Sequence, residues 1–412
     1  MRFFFPDSQD QIDPHFDFVS EEHHVHRIRQ RDDFYAHEAL TVRPFDGLLV
    51  AKPIVDGHGA GASGHYNNAA RARLYREGVQ KFFRLDKSDH HITTLGDCGA
   101  FTYVNEEVPP YTVDEVIDFY DGCGFNAGVA PDHIVFGFVR GERFVGHEME
   151  PEWERRRHLT LENAREFLKR HQQRHCTFIP YAAAHGWSAD TYADSVDQLQ
   201  KMGYSFIAMG GMVPLKTADI VATLEVVDDV LKPDTQLHLL GVTRTEEIPR
   251  FAELGVTSFD STSPFRQAFK DDKDNFYTFD STYVALRVPQ VDANAKLKRL
   301  IAAGRINQSL AIKAERHCLS SLRLYDEGKE ELEVVLQALM DYEIMLGGPA
   351  THEKDYKRTL EDMPWKGCNC GLCAKDGIDV AVFRGSERNK RRGFHNLCVF
   401  RQRLDRTLGA AK

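Results

Sequence analysis

The sequence lacks any apolar run long enough to span a membrane. Its opening, Met1-Arg-Phe-Phe-Phe-Pro6, is too short for the apolar core of a secretion signal. Together these absences predict a soluble cytoplasmic protein. A disulfide framework is also missing: five of the eight cysteines (Cys98, Cys123, Cys176, Cys318, Cys398) are scattered, as in chains from reducing compartments. Basic charge is not in excess. With 52 Lys+Arg against 62 Asp+Glu the net charge is −10, so no global cationic surface marks a nucleic-acid binder. Basic residues concentrate only locally, with eight Lys/Arg against two Asp/Glu between Arg384 and Arg406. Such a run would face either phosphates or solvent.

The remaining three cysteines fall within one hexapeptide, Cys368-Asn-Cys370-Gly-Leu-Cys373, and His395 follows 22 residues after Cys373. Three thiols and an imidazole make a complete tetrahedral N/S set, the donor chemistry of a zinc site. All four positions are filled, which leaves none for water, so the spacing predicts a structural zinc ion and places the chemistry elsewhere. The other imidazole cluster, His23, His24 and His26, is expected at the surface of a polar arm spanning 1–46.

From Gly47 onward the pattern becomes rhythmic. Apolar runs at 48–55, 91–95, 133–138, 176–182, 205–209, 236–240 and 256–259 read as strands. Helical stretches separate them at 67–78, 112–122, 160–175, 189–202, 219–231 and 245–254, with Thr160 expected as an N-cap. This alternation predicts an α/β fold with a parallel sheet, a (β/α)8 TIM-type barrel over 47–290 with one strand unplaced, or else an open doubly wound sheet. A helical segment at 291–347 and a zinc module at 348–412 complete the expected division. A formal GxGxxG (Gly59, Gly61, Gly64) starts three residues past the first strand. It is expected to be a loop on the scaffold, with dinucleotide binding as the alternative.

In such a barrel the working residues sit at the C-terminal strand ends. Those ends carry Asp97, His185-Gly186, Gly210-Gly211-Met212 and Asp260. Two carboxylates at one mouth suit substitution at an anomeric carbon, one as nucleophile and one as proton carrier.

Zinc pattern and strand ends together resemble the tRNA-guanine transglycosylase superfamily. Gly96-Asp97-Cys98-Gly99-Ala100-Phe101 is similar to the family's Asp-Ser-Gly-Gly-aromatic motif. Phe206-Ile-Ala-Met-Gly210-Gly211-Met212 resembles its Ala-Val-Gly-Gly-Leu strand. Gly255-Val-Thr-Ser-Phe-Asp260-Ser-Thr-Ser-Pro264 resembles its Phe-Asp-Cys-Val-x-Pro motif, and Gly393-Phe-His395-Asn396-Leu397 its His-Asn-Leu zinc helix. The resemblance implies a glycosyltransferase that exchanges guanine for a 7-deazaguanine base through a covalent Asp-glycosyl intermediate. Asp260 would be the nucleophile and Asp97 the proton carrier. Phe101, His185, Gly210, Gly211 and Met212 would form the base pocket, and Cys368, Cys370, Cys373 and His395 would hold Zn2+.

Departures from the family pattern refine this expectation. Cys98 replaces a serine, His185 a glutamine, and Val139 stands where the tRNA enzymes place a base-holding aspartate. These departures resemble the DNA-acting branch, the DpdA type, and imply DNA as polymer substrate, the base preQ0, and helper proteins of a DNA-modification system. A tRNA-directed enzyme and a non-catalytic nucleic-acid-binding subunit are the alternatives.

Overall fold

The computed structural model describes all residues except 60–64, 89, 141–149, 350 and 411–412. The chain divides into two compact units. The first comprises Met1–Gln9, Phe45–Thr262 and Leu404–Lys412, and the second Asp10–Pro44 and Ser263–Arg403.

The first unit is a closed barrel of eight parallel strands in sequential order. They are β1 (Arg2–Pro6), β2 (Gly47–Ala51), β3 (Thr93–Asp97), β4 (Ala127–Val129), β5 (Ile179–Ala184), β6 (Phe206–Met209), β7 (Gln236–Leu239) and β8 (Val256–Asp260). Closure comes from β1, which pairs in parallel with both β2 and β8. The eighth strand therefore lies in the stretch read as an N-terminal arm. Phe3, Phe4 and Phe5 are all buried, because a barrel strand is covered on both faces and shows no polar alternation. Three apolar residues at a chain terminus look like a tail until their partners are known. The barrel interior is filled by Phe4, Leu49, Leu95, Val129, Tyr181 and Ala208, among others, so it is a packed core and not a pore.

Sequence reading also misplaced the fourth strand. It runs over Ala127–Val129, and residues 130–140 are extended without strand pairing. Ala-Gly-Val carries little apolar signal, yet its glycine is required. The Tyr120 ring lies across Gly96 of β3 and Gly128 of β4, where a Cβ would come within 2.2 Å of the ring at either position.

Helices between the strands form for local reasons. Ala189–Met202 starts at Ser188, whose hydroxyl accepts from the Thr191 N–H, and ends at Gly203 in the left-handed region. Its Tyr192, Val196 and Leu199 are buried on one face. Thr160 is not an N-cap: it lies inside the helix Pro151–Gln173. Its hydroxyl donates to the Arg156 carbonyl (2.9 Å) and accepts from the His133 N–H (2.9 Å), the back-bonded use of a mid-helix threonine. No helix among the described residues is long and apolar enough to cross a membrane. The GxGxxG segment lies, apart from Gly59, outside the described residues.

In the second unit the basic run is turned inward. Arg384, Arg388, Arg391 and Arg392 are each at most 3 % exposed, so this part of the run faces neither phosphate nor solvent. Arg384 pairs with Glu21 and Glu315, Arg388 with Glu21 and Asp379, and Arg391 with Asp376 and Glu387. Arg392 donates to the carbonyls of Ala268 and Val382. Buried guanidinium groups need such partners, since an unpaired charge out of water is costly. The arm segment Asp10–Pro44 supplies several of them: Glu21 and the carbonyls of Asp13 and Phe18.

Candidate active site and metal centre

The C-terminal ends of the barrel strands carry the candidate catalytic groups. Asp97 is the last residue of β3 and Asp260 the last of β8. Asp260 is 6 % exposed. Its Oδ1 accepts from the Gly241 N–H, just past β7, at 2.9 Å and lies 3.2 Å from Nε2 of His238. His238 points inward from β7, and its Nδ1 lies 2.9 Å from Ser258 Oγ on β8. One carboxylate oxygen of Asp260 is thus oriented from two sides.

Asp97 sits in a different field. Burial, more than any other cause, pushes its carboxyl up to about 7. The charge of Asp132 adds to this, the Gly99 N–H opposes it, and Asp260 contributes a smaller rise. A carboxyl poised there exchanges protons near neutral pH, whereas an ordinary aspartate would stay ionised. After β3 the chain turns at Gly99, and Phe101 projects with 70 % of its surface exposed. That is a large apolar ring left uncovered four residues after Asp97.

At the ends of β4, β5 and β6 a third carboxylate appears. Asp132, three residues past β4, is buried, with Oδ2 2.5 Å from His185 Nε2 and Oδ1 2.7 Å from Cys98 Sγ. Gly210 and Gly211 follow β6. A Cβ at Gly210 would lie 2.3 Å from His185 Cε1, and Gly211 has φ +74, so only glycine lets the imidazole and strand end approach this closely. Met212 beside them is fully buried.

With β4 at 127–129, Asp132 is the third residue past that strand's end. Val139, seven residues further on, donates its N–H to the Trp187 carbonyl at 2.7 Å. Sequence reading also missed Tyr103 and His238. The signal for His238 was present, a histidine at an inward position of the strand Gln236-Leu-His-Leu239, but its partner lies on the neighbouring strand.

Comparison with known proteins places this geometry. Residues 145–287 match the family model described as queuine tRNA-ribosyltransferase. A Salmonella montevideo protein named DNA-guanine transglycosylase is 51% identical over 413 residues, covering 99% of this chain and 97% of that protein. The chain belongs to the tRNA-guanine transglycosylase superfamily. In this transglycosylase the family-matched region carries the ends of β5 to β8, where His185, Gly210, Gly211 and Asp260 lie.

The second unit of the transglycosylase brings the four expected metal ligands together. Ligand atoms of Cys368, Cys370, Cys373 and His395 lie within 4.8 Å of one another. His395 Nδ1 is 3.3 Å from both Cys368 Sγ and Cys373 Sγ. Its Nε2 donates to the Tyr277 carbonyl at 2.7 Å, which fixes the tautomer and leaves Nδ1 as the ligand atom. The ring stacks on Phe276 with centroids 4.2 Å apart. This donor set fits a metal ion. No group of that kind forms among His23, His24 and His26, where His23 instead pairs with Asp13 at 2.8 Å.

Proposed function

We propose that this protein is a DNA-guanine transglycosylase that replaces guanine in DNA with the free 7-deazaguanine base preQ0. The observation that carries this reading is the pairing of Asp97 and Asp260 at the mouth of one barrel. One is held near neutral pH and the other is oriented by Gly241 and His238. The full-length relative named for this activity supports it.

In the proposed mechanism a target guanosine is extruded from the duplex. Phe101 stacks on the base, and Gly210, Gly211 and Met212 line its edge. The Asp132 carboxylate, held between His185 and Cys98, accepts from the N–H groups of the base. Asp260 forms a bond to C1′ as the bond to N9 breaks, while protonated Asp97 gives its proton to the departing guanine. The incoming base gives its N9 proton to Asp97, bonds to C1′ and releases Asp260. Two inversions give net retention. Cys368, Cys370, Cys373 and His395 would hold Zn2+ with all four positions filled, stabilising the fold of the second unit and taking no part in the exchange. Helper proteins of a DNA-modification system are proposed as partners, the base exchange itself being carried by this chain.

The family model's own description favours tRNA as the second reading. Labelled preQ0 offered to duplex DNA and tRNA side by side separates the two. Label in DNA with the parent protein and none with Asp260→Asn is the expected result. Label in tRNA alone would overturn the DNA reading, and full exchange by folded Asp260→Asn would overturn the nucleophile.

A further inference from the structure

A set of buried polar contacts in the barrel surrounds Asp132. Its Oδ2 accepts from His185 Nε2–H at 2.5 Å and its Oδ1 from the Cys98 thiol at 2.7 Å. The Tyr103 hydroxyl lies 3.2 Å from Cys98 Sγ and 3.1 Å from the Asp132 carbonyl oxygen. Cys98, Tyr103, Asp132 and His185 are all at most 2 % exposed. They come from the ends of three strands, so closure of the barrel assembles them.

Two donors are present, one on each oxygen of Asp132. We propose that His185 and Cys98, backed by Tyr103, are positioning residues that clamp Asp132 as an oriented acceptor for the N–H edge of a guanine-type base. The inference rests on the base-holding role given to Asp132 above. An ionised carboxylate offers about four lone-pair sites. The two donors use one on each oxygen and leave one on each. Two acceptors side by side match the adjacent ring and exocyclic N–H donors of guanine and its 7-deaza relatives, and do not match the corresponding edge of adenine.

Other details fit a clamp better than a catalytic thiol. Burial pushes the Cys98 thiol well up, and the charges of Asp132 and Asp97 push it further, so sulfur keeps the proton it donates. The His185 ring is wedged against Gly210, its carbonyl accepts from Ser195 Oγ at 2.7 Å, and its Nδ1 is buried without a partner. A ring whose second nitrogen is left unsatisfied is held there for its first. Glutamine also offers an N–H donor and would serve in its place.

The test is steady-state incorporation of free radiolabelled guanine into duplex DNA by the full-length protein, with KM for guanine separated from kcat. His185→Ala and Cys98→Ala should raise KM about tenfold or more, the loss of one hydrogen bond to a charged group, with a smaller effect on kcat. His185→Gln and Cys98→Ser keep a donor and should recover most of the affinity. Asp132→Asn serves as the control for the underlying reading and should lose guanine affinity whatever the clamp does. A KM for both alanine variants within twofold of the parent, with Asp132→Asn impaired, would overturn the clamp. Parent-like KM in Asp132→Asn would instead overturn its base-holding role. A purely structural role would lower melting temperature and kcat alike in the serine and alanine variants, so failure of Cys98→Ser to outperform Cys98→Ala also counts against the proposal.

Discussion

Asp97 should make the barrel less stable at neutral pH than its own asparagine variant. In an unfolded chain this carboxyl titrates near 3.8, whereas the fold holds it up to about 7, chiefly through burial and then through the charge of Asp132. A difference of that size corresponds to about 4 kcal/mol, at 1.36 kcal/mol for each pKa unit. The sign follows from proton binding. Below about 3.8 both states carry the proton and the fold incurs no cost. Between there and about 7 the unfolded chain has released its proton while the folded one keeps it, so stability falls steadily as pH rises. Above about 7 the folded state holds an ionised carboxylate in a poor environment and the whole difference is lost. Asp97→Asn carries no charge to bury. It should therefore melt with the parent near pH 4 and above it at pH 8, by several degrees at the few degrees per kcal/mol typical of a domain this size. The assay is a set of thermal melts of both proteins from pH 4 to 8, with base exchange measured in parallel. Exchange should be lost in the variant while stability rises, the trade expected at a site arranged for chemistry. Parallel melting curves for the two proteins across this range would refute both the raised carboxyl and its assignment as proton carrier.

Two further outcomes follow from the second unit. Cys370→Ser should lower the metal bound per chain from about one ion to well below one, and the melting temperature should fall with it; unchanged zinc by elemental analysis would remove Cys370 from the ligand set. Arg388→Met strips one partner from Glu21 (2.5 Å) and one from Asp379 (2.7 Å). Removing one side of a buried ion pair costs about 3–5 kcal/mol, so denaturant unfolding should shift by an amount of that order. A shift below about 1 kcal/mol, the scale of an exposed pair, would show that the pair is solvated.

Much of the barrel was legible from local pattern. Segments 205–209, 236–240 and 256–259 are short apolar runs that end at glycine or aspartate, and the structure places strands on them. The helix Ala189–Met202 has its serine cap and terminal glycine written in the chain. These features depend on neighbours a few residues away, where residue type is decisive. Arg2–Pro6 and Ala127–Val129 were not legible. One was too near the terminus and the other too small in its side chains, and each becomes a strand only through pairing with strands distant in sequence.

The same division runs through the site. Asp97 and Asp260 could be found as polar residues closing apolar runs, and Cys368, Cys370, Cys373 and His395 by ligand chemistry alone. By itself, then, the sequence determined the element types, the two catalytic candidates and the metal-ligand set, because each rests on residue identity and short spacing. Tertiary structure decided which groups meet. His238 touches Asp260 because β7 lies beside β8 with His238 opposite Ser258. Asp132 lies between Cys98 and His185 because β3, β4 and β5 are neighbours. The arginines from 384 to 392 are buried because acids such as Glu21, distant in the chain, neutralise them. Charge, proton affinity and orientation depend on distances of a few ångströms between residues far apart in sequence, and only the closed fold sets those distances.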